Sequence, residues 1–344
     1  MIRVGLLGCG RIARMYHLPI LARATGVELA ALADPDPERL ASAGAAVPGA
    51  RGSSDWREIL GDDSIEAVVI CLPTGLHADA ARAAFQSGKD VYLEKPVATT
   101  LAAARDTVLQ WRASGRVGMV GFNQRFHPLV VAAREAIRGG RVGRIVGARV
   151  STLSPRRDLP EWKRRRAEGG GALLDLASHH ADLARFLFAE EVREVSASVH
   201  SISSEDDDAS ITMTMESGIV MDSRVSFATV GENRFEVLGD QGRIVVDRVA
   251  GQMRVDPLHP PSTLARLARG AARLAGAPRT VRSILSRGWD PSYRKALWTF
   301  ARAARDRTQP SPDIEDGERS LAIVLAAEIA AREGRRRAVE ALAS

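Results

Sequence analysis

Cysteine is scarce: Cys9 and Cys71 are the two thiols in 344 residues. Each lies in a strand-like apolar run, which excludes a disulfide framework and a structural zinc site and suits a reducing cytoplasm. Lysine is nearly as rare. With four in the chain, almost all of the 48 basic side chains are arginine. Set against 42 acidic side chains they leave a net charge of +6, too small to require a polyanionic partner. Abundant arginine beside abundant alanine more often reflects a G+C-rich genome than a nucleic-acid footprint. No basic leader with a cleavage site precedes Ile2, and no apolar run approaches the ~20 residues that a membrane span needs. The expectation is a soluble cytoplasmic protein with no nucleic-acid or membrane partner and no metal. Internal repeats are absent too. What is present is ordinary globular material, 45% apolar and 26% charged, enough for one or two packed domains and incompatible with disorder.

From Ile2 to Gly121 short apolar runs alternate with helix-period segments, the rhythm of a parallel sheet covered by helices. The expected strands are Ile2 to Leu7, Val27 to Ala33, Ala67 to Leu72, Val91 to Leu93 and Val117 to Val120. Helices are expected at Arg11 to Thr25, Asp55 to Leu60, Leu76 to Ser87 and Leu101 to Ser114, the last capped by Thr99 or Thr100. After Asn123 the rhythm changes. A helix at Pro128 to Arg138, a run at Ile145 to Leu153 and a helix from Gly171 to Phe188 precede five strand-like stretches between Val192 and Asp247, with no helices between them. Such a succession implies antiparallel pairing. Helices Pro291 to Asp306 and Ile314 to Glu333 close the chain. The fold class is therefore α/β: a doubly wound, Rossmann-type domain over residues 1–122, then an α+β domain over 123–344 with a mainly antiparallel sheet. An arginine-studded stretch, Pro257 to Arg287, has Leu264, Leu267, Leu274, Val281, Ile284 and Leu285 at roughly helical spacing. It lacks the aromatic rings of a single-strand platform and reads as a surface excursion or subunit contact.

Gly8, Gly10 and Ala13 form a G-x-G-x-x-A spacing directly after the first strand. Gly8 allows the tight turn, Gly10 lets backbone approach a pyrophosphate, and Ala13 permits close helix-to-strand packing. Arg11 and Ile12 open the helix whose N–H groups would face the phosphates. Asp34 ends the second strand, where a carboxylate accepts from ribose hydroxyls and repels a 2′-phosphate, so NAD is expected over NADP. Asp34 could alternatively cap the turn at Pro35-Asp36-Pro37.

The run Asp90-Val91-Tyr92-Leu93-Glu94-Lys95-Pro96 is more specific. Together with Pro73-Thr74-Gly75-Leu76-His77, Gly88-Lys89, Gly121-Phe122-Asn123 and Gly169-Gly170-Gly171-Ala172-Leu173-Leu174-Asp175, it strongly resembles the Gfo/Idh/MocA oxidoreductases over nearly the whole chain, ending with the helix from Glu315-Asp316-Gly317 to Glu333. The resemblance implies a cofactor cleft at Glu94 and Lys95, with a Lys-Pro bond that is often cis, and a lysine that meets the substrate hydroxyl. A cation suits that place because negative charge develops on oxygen as hydride leaves carbon. It also implies an Asp175 and His179 pair, four residues apart and hence on one helical face, with the carboxylate orienting the imidazole as general acid/base. His180 is the competing base. Ala177 stands where relatives carry glycine and Thr74 where they carry asparagine, while His77 falls beside the nicotinamide. Arg125 and Trp162 are candidates to reach the substrate from the second domain, and His17 is read as structural.

The implied activity is NAD-dependent hydride transfer to or from a secondary hydroxyl of a sugar, sugar derivative or cyclitol, in a homodimer or homotetramer. Reduction of an unsaturated or imine-like substrate is the rival chemistry. A non-catalytic dinucleotide-binding protein is the rival class, although Lys95 and His179 would then be expected to be missing. Specificity is expected to rest on the loop Ser154 to Glu168, made basic by Arg156, Arg157, Lys163, Arg164, Arg165 and Arg166.

Overall fold

Runs that are apolar at successive positions, not alternate ones, belong to strands buried on both faces. Leu6, Leu7, Val68, Val69, Ile70, Val91, Tyr92 and Leu93 are all fully buried. The computed structural model describes residues 1–156, 159–258 and 290–340. These runs fall in a parallel sheet of β1 (Ile2–Leu7), β2 (Val27–Ala33), β3 (Arg51–Ser53), β4 (Ala67–Ile70), β5 (Asp90–Leu93) and β6 (Gly118–Val120), in the order β3-β2-β1-β4-β5-β6. The order reverses between β1 and β4, which opens the crevice where doubly wound folds bind ligands.

Helix Pro37–Ala46 and strand β3 are additions to the expected elements. Asp36 caps the helix by accepting from the Glu38 and Arg39 N–H groups, with Pro37 in the first turn. Ala43 is its one buried residue, so it has no apolar stripe for periodicity to reveal. One face of the sheet is covered by Trp56–Leu60, His77–Gln86 and Leu101–Ser114, and the other by Leu18–Leu21 and the distant helix Pro291–Asp306. Ala296, Leu297, Phe300, Ala303 and Ala304 form the buried stripe of that last helix and join Leu6, Leu32 and Tyr92 in one cluster. A helix expected with the second domain thus completes the first.

The second sheet comprises β7 (Ile145–Leu153), β8 (Val192–His200), β9 (Asp208–Met215), β10 (Val220–Ser226), β11 (Glu232–Gly239), β12 (Gly242–Asp247), β13 (Gln252–Pro257) and β14 (Arg337–Ala338), in the order β13-β12-β11-β7-β10-β9-β8-β14. Its neighbours are antiparallel except β7 and β10, which run parallel because β7 inserts between β10 and β11. Alternate residues such as Ile211, Met213, Met221, Val225, Phe235 and Val237 point into the core. Helix Ile314–Glu333 packs against β8 and against helices of both domains. No described helix is long and apolar enough to cross a membrane. Arg157 and the six apolar positions from Leu264 to Leu285 lie outside the described residues.

Candidate active site

At the end of β1 the chain turns through Gly8, with φ of +94°. A Cβ there would stand 2.6 Å from the Cys71 carbonyl oxygen, so no L side chain fits. Arg11 and Ile12 start a helix that runs through a π-turn at Ala13–His17 into Leu18–Leu21, with Ala13 fully buried. A Cβ on Gly10 would meet nothing within 4 Å. The turn therefore leaves open space beside a helix N-terminus, where free N–H groups favour an anion. Arg11 is exposed, its Nε donating to Met15 Sδ at 3.4 Å, and Ile12 is half-buried.

Asp34 is buried just beyond β2. Oδ2 accepts from the Cys9 N–H at 2.8 Å and Oδ1 from the Asp36 N–H at 2.9 Å. It does cap the Pro35-Asp36-Pro37 turn, and it also ties that turn to the glycine turn. Each carboxylate oxygen keeps acceptor capacity for a ribose hydroxyl. Burial, then the Asp34 charge, pushes the Cys9 thiol up to about 12, so it is inert. Gly8, the space at Gly10, the buried Ala13 and Asp34 together fit a dinucleotide.

Where β4 and β5 end, three side chains build the frame. His17 is fully buried with Nε2 2.6 Å from Glu94 Oε1, linking the helix of the glycine turn to the strand that carries Lys95. His77, expected beside the nicotinamide, is instead buried with Nδ1 2.7 Å from the Pro96 carbonyl oxygen and Nε2 2.9 Å from that of Leu72. Burial lowers its pKa against the pull of those carbonyls. It braces the bend at the cis Lys95-Pro96 bond and has no ring nitrogen left for a ligand. Thr74 is buried beside Gly169, where a Cβ would stand 2.5 Å from its own.

Lys95 crosses between the domains. Its Nζ donates to the Asp175 carbonyl oxygen at 2.7 Å and to Asp175 Oδ1, while Lys163 Nζ donates to Asp175 Oδ2 at 2.8 Å. The expected hydrogen bond between Asp175 and His179 is not made: lysines hold the carboxylate oxygens, His179 Nδ1 has no partner, and Asp175 acts on the imidazole through its charge. Leu173–Ala177 is a π-turn leading into helix Ser178–Phe188, so the i, i+4 register of an ordinary helix does not carry across it. Gly170 makes this approach possible, because a Cβ there would stand 2.4 Å from the Lys163 carbonyl oxygen. Burial works to raise the Asp175 pKa, and the Lys163 and Lys95 ammoniums outweigh it and hold the carboxyl far below the usual range.

His179 is partly accessible, edge-on to Phe122 with centroids 6.2 Å apart, and its Nδ1 is buried with no partner. Burial, then the Lys95 charge, holds it well below the ordinary imidazole range, against Asp175. It is neutral. His180 faces the core: Nε2 is 2.8 Å from Thr152 Oγ1 and Nδ1 2.7 Å from Ser223 Oγ. That removes it as a substrate ligand. Arg125 is likewise buried, in pairs with Asp182 and Asp316 that occupy its guanidinium. Trp162 is half-buried with Lys163 Nζ 5.2 Å from its ring, and Ala177 packs in the core. Lys163 was hidden within a basic run. Its rarity as a residue type and its closeness to the glycine triplet are the signals that could have singled it out.

Burial and Arg248 push His180 down to about 3, and burial pushes His127 down to about 4, from an unfolded value of 6.5. The unfolded chain binds these protons first, so stability is full above pH 6.5 and falls as pH drops toward 4 and 3. His180 alone is worth about 3 kcal/mol by pH 4. Urea midpoints across pH 4 to 8 should be flat above the imidazole range and decline below it. A constant midpoint would contradict these environments.

A doubly wound sheet with a glycine turn at its switch point, and a lysine after β5 held on the Asp175 carboxylate, is the frame of a dinucleotide-binding oxidoreductase. Residues 2–122 match the oxidoreductase family with an NAD-binding Rossmann fold, and residues 130–245 match the GFO/IDH/MocA C-terminal domain. The chain belongs to the Gfo/Idh/MocA oxidoreductase family. It is 32% identical to the 1,5-anhydro-D-fructose reductase of Ensifer adhaerens over 98% of each chain. It is also 32% identical to the inositol 2-dehydrogenase of Rhizobium meliloti, over 72% of this chain and 76% of that one. The crystal structure of the WlbA dehydrogenase from Bordetella pertussis, in complex with NADH and UDP-GlcNAcA, superposes with a TM-score of 0.85 at 26% identity, covering 99% of this chain and 98% of that one.

Proposed function

We propose that this chain is an NAD-dependent dehydrogenase acting on a secondary hydroxyl of a sugar, sugar derivative or cyclitol, with Lys95, Asp175 and His179 at the reacting centre. The observation that carries the reading is the Lys95 ammonium held across the domain junction on Asp175, beside a neutral His179. Bound NAD supplies the hydride acceptor. Lys95 stabilises the negative charge that develops on the substrate oxygen. His179, kept neutral, is in the form that takes up the hydroxyl proton. Asp175 positions Lys95 and Lys163. The turn from Gly8 to Ile12 and Asp34 would hold the pyrophosphate and ribose, with Thr74 and Glu94 framing the nicotinamide end.

The cleft between residues 1–122 and the following domain is where the two substrates meet in this reading. The outer face of the second sheet presents Arg149, Val220, Asp222 and Arg224 to solvent and supports a homodimer or homotetramer. The two buried, unpaired thiols suit the cytoplasm.

NADH fluorescence with purified protein across sugars, cyclitols, uronates and nucleotide sugars tests the activity. Reduction of NAD by at least one secondary alcohol is expected, and none across the panel would sink the reading. For the cofactor, Asp34 predicts NAD binding about ten-fold or more tighter than NADP, and Asp34→Ser with a nearby arginine should narrow the gap. Equal or tighter NADP binding by the native protein would reject Asp34 as the discriminator.

A further inference from the structure

The basic loop sorts its charges. Arg165 is paired with Glu161 at 2.8 Å and Glu168 at 3.1 Å, and Arg166 with the buried Glu328. Arg156 and Arg164 have no carboxylate partner among the described residues. They line a cleft of about 480 Å³ with Ser203, Ser204, Asp207 and Phe227. Arg156 is held there by Ser203 Oγ, 2.9 Å from its Nε. The carboxylate in that wall, Asp207, is almost fully buried and already accepts from the Ile202, Ser203 and Ser204 N–H groups at 2.7 to 2.9 Å. Among the described residues the cleft therefore presents two guanidiniums and serine hydroxyls beside Leu159 and Phe227, with the Asp207 carboxylate turned inward.

This loop is not a free solvated tether. The Glu205 N–H donates to the Arg164 carbonyl at 3.3 Å, the Arg166 N–H donates to Glu205 Oε2 at 2.7 Å, and the Gly170 N–H donates to the Arg165 carbonyl at 2.9 Å. The residue before Arg164 is Lys163, whose ammonium sits on Asp175. Arg164 thus lies one residue along the chain from a lysine that touches Asp175, and the Ala172 N–H, three residues before Asp175, donates to the carbonyl oxygen of Asp206, next to Asp207 in the cleft wall, at 2.7 Å. Guanidinium pairs recognise carboxylate and phosphate oxygens alike, through charge-assisted hydrogen bonds.

We propose that this cleft is the anion subsite of the substrate pocket, so that the substrate is an anionic sugar bearing a carboxylate or phosphate apart from its reacting hydroxyl. The proposal rests on the dehydrogenase reading above and deepens it. Its test is calorimetric titration of the NAD-loaded protein with D-glucuronate, D-galacturonate and D-glucose 6-phosphate, each beside its neutral parent, at low and high salt. At least one anion should bind about ten-fold tighter than its parent at low salt, and the responding arm tells carboxylate from phosphate. In the Arg156→Gln, Arg164→Gln double variant that advantage should shrink to within about two-fold while NAD affinity, the check on folding, is unchanged. No preference for any anion, or a preference that survives in the double variant, overturns the subsite. Turnover separates the two readings. Equal oxidation of neutral and anionic sugars leaves the dehydrogenase standing and removes the subsite, whereas no NAD reduction by any sugar, even with anion-selective binding, removes the dehydrogenase reading and with it the cleft's role as a substrate subsite.

Discussion

Lys95→Ala is expected to lower kcat by about 10²- to 10³-fold while leaving NAD affinity within a few-fold. The lysine acts where charge develops on the substrate oxygen, so its loss falls on the transition state more than on either bound ground state. The fold should tolerate the change. Asp175 keeps Lys163 at 2.8 Å, so the carboxylate is not left as an unpaired buried charge, the circumstance that makes single deletions from ion pairs so destabilising. Steady-state kinetics with parallel NADH-fluorescence titration and thermal melts separate these effects. A variant that turns over at near the native rate would remove Lys95 from the reaction, and one that loses NAD binding as well would place it in the cofactor site.

The two adjacent histidines should separate cleanly. His179→Ala is expected to lower kcat/KM by about 10²- to 10⁴-fold with little change in stability, because its ring is partly accessible and its Nδ1 has no partner to lose. His180→Ala should leave kcat/KM nearly intact and cost about 2–4 kcal/mol of stability, through the cavity and the hydroxyls of Thr152 and Ser223 left unpartnered. The native enzyme should lose oxidation rate as acid protonates His179, well below the ordinary imidazole range, and the His179 variant should lack that limb. Urea midpoints and pH profiles of the two variants decide the matter. If losing His180 flattens the profile and losing His179 does not, the assignment of the base is reversed.

Strands β1, β2 and β7 and the helices Pro128–Arg138, Pro291–Asp306 and Ile314–Glu333 begin and end where apolar pattern and capping residues place them. Those are local signals, read along the chain. The Pro37–Ala46 helix escaped because alanine and polar residues give it no stripe. The parallel contact of β7 with β10 escaped because nothing in either strand records which partner a third strand displaces.

At the candidate site, the glycine turn and Asp34 are read from spacing, and Lys95, Asp175 and His179 are proposed from the resemblance. How they meet was not. The π-turn at Leu173–Ala177 changes the register on which a four-residue pairing relied. Asp175 is taken by two lysines from segments 80 and 12 residues away, and His77, His180 and Arg125 turn inward to partners elsewhere in the chain.

Sequence by itself therefore determined the doubly wound class, the dinucleotide turn and the family, because turn conformation, strand burial and helix caps depend on neighbours along the chain. Tertiary structure alone decided which charges are paired, which histidine stays accessible and that the Pro291–Asp306 helix covers the first sheet. Coulomb attraction and desolvation act through distances that chain order does not encode.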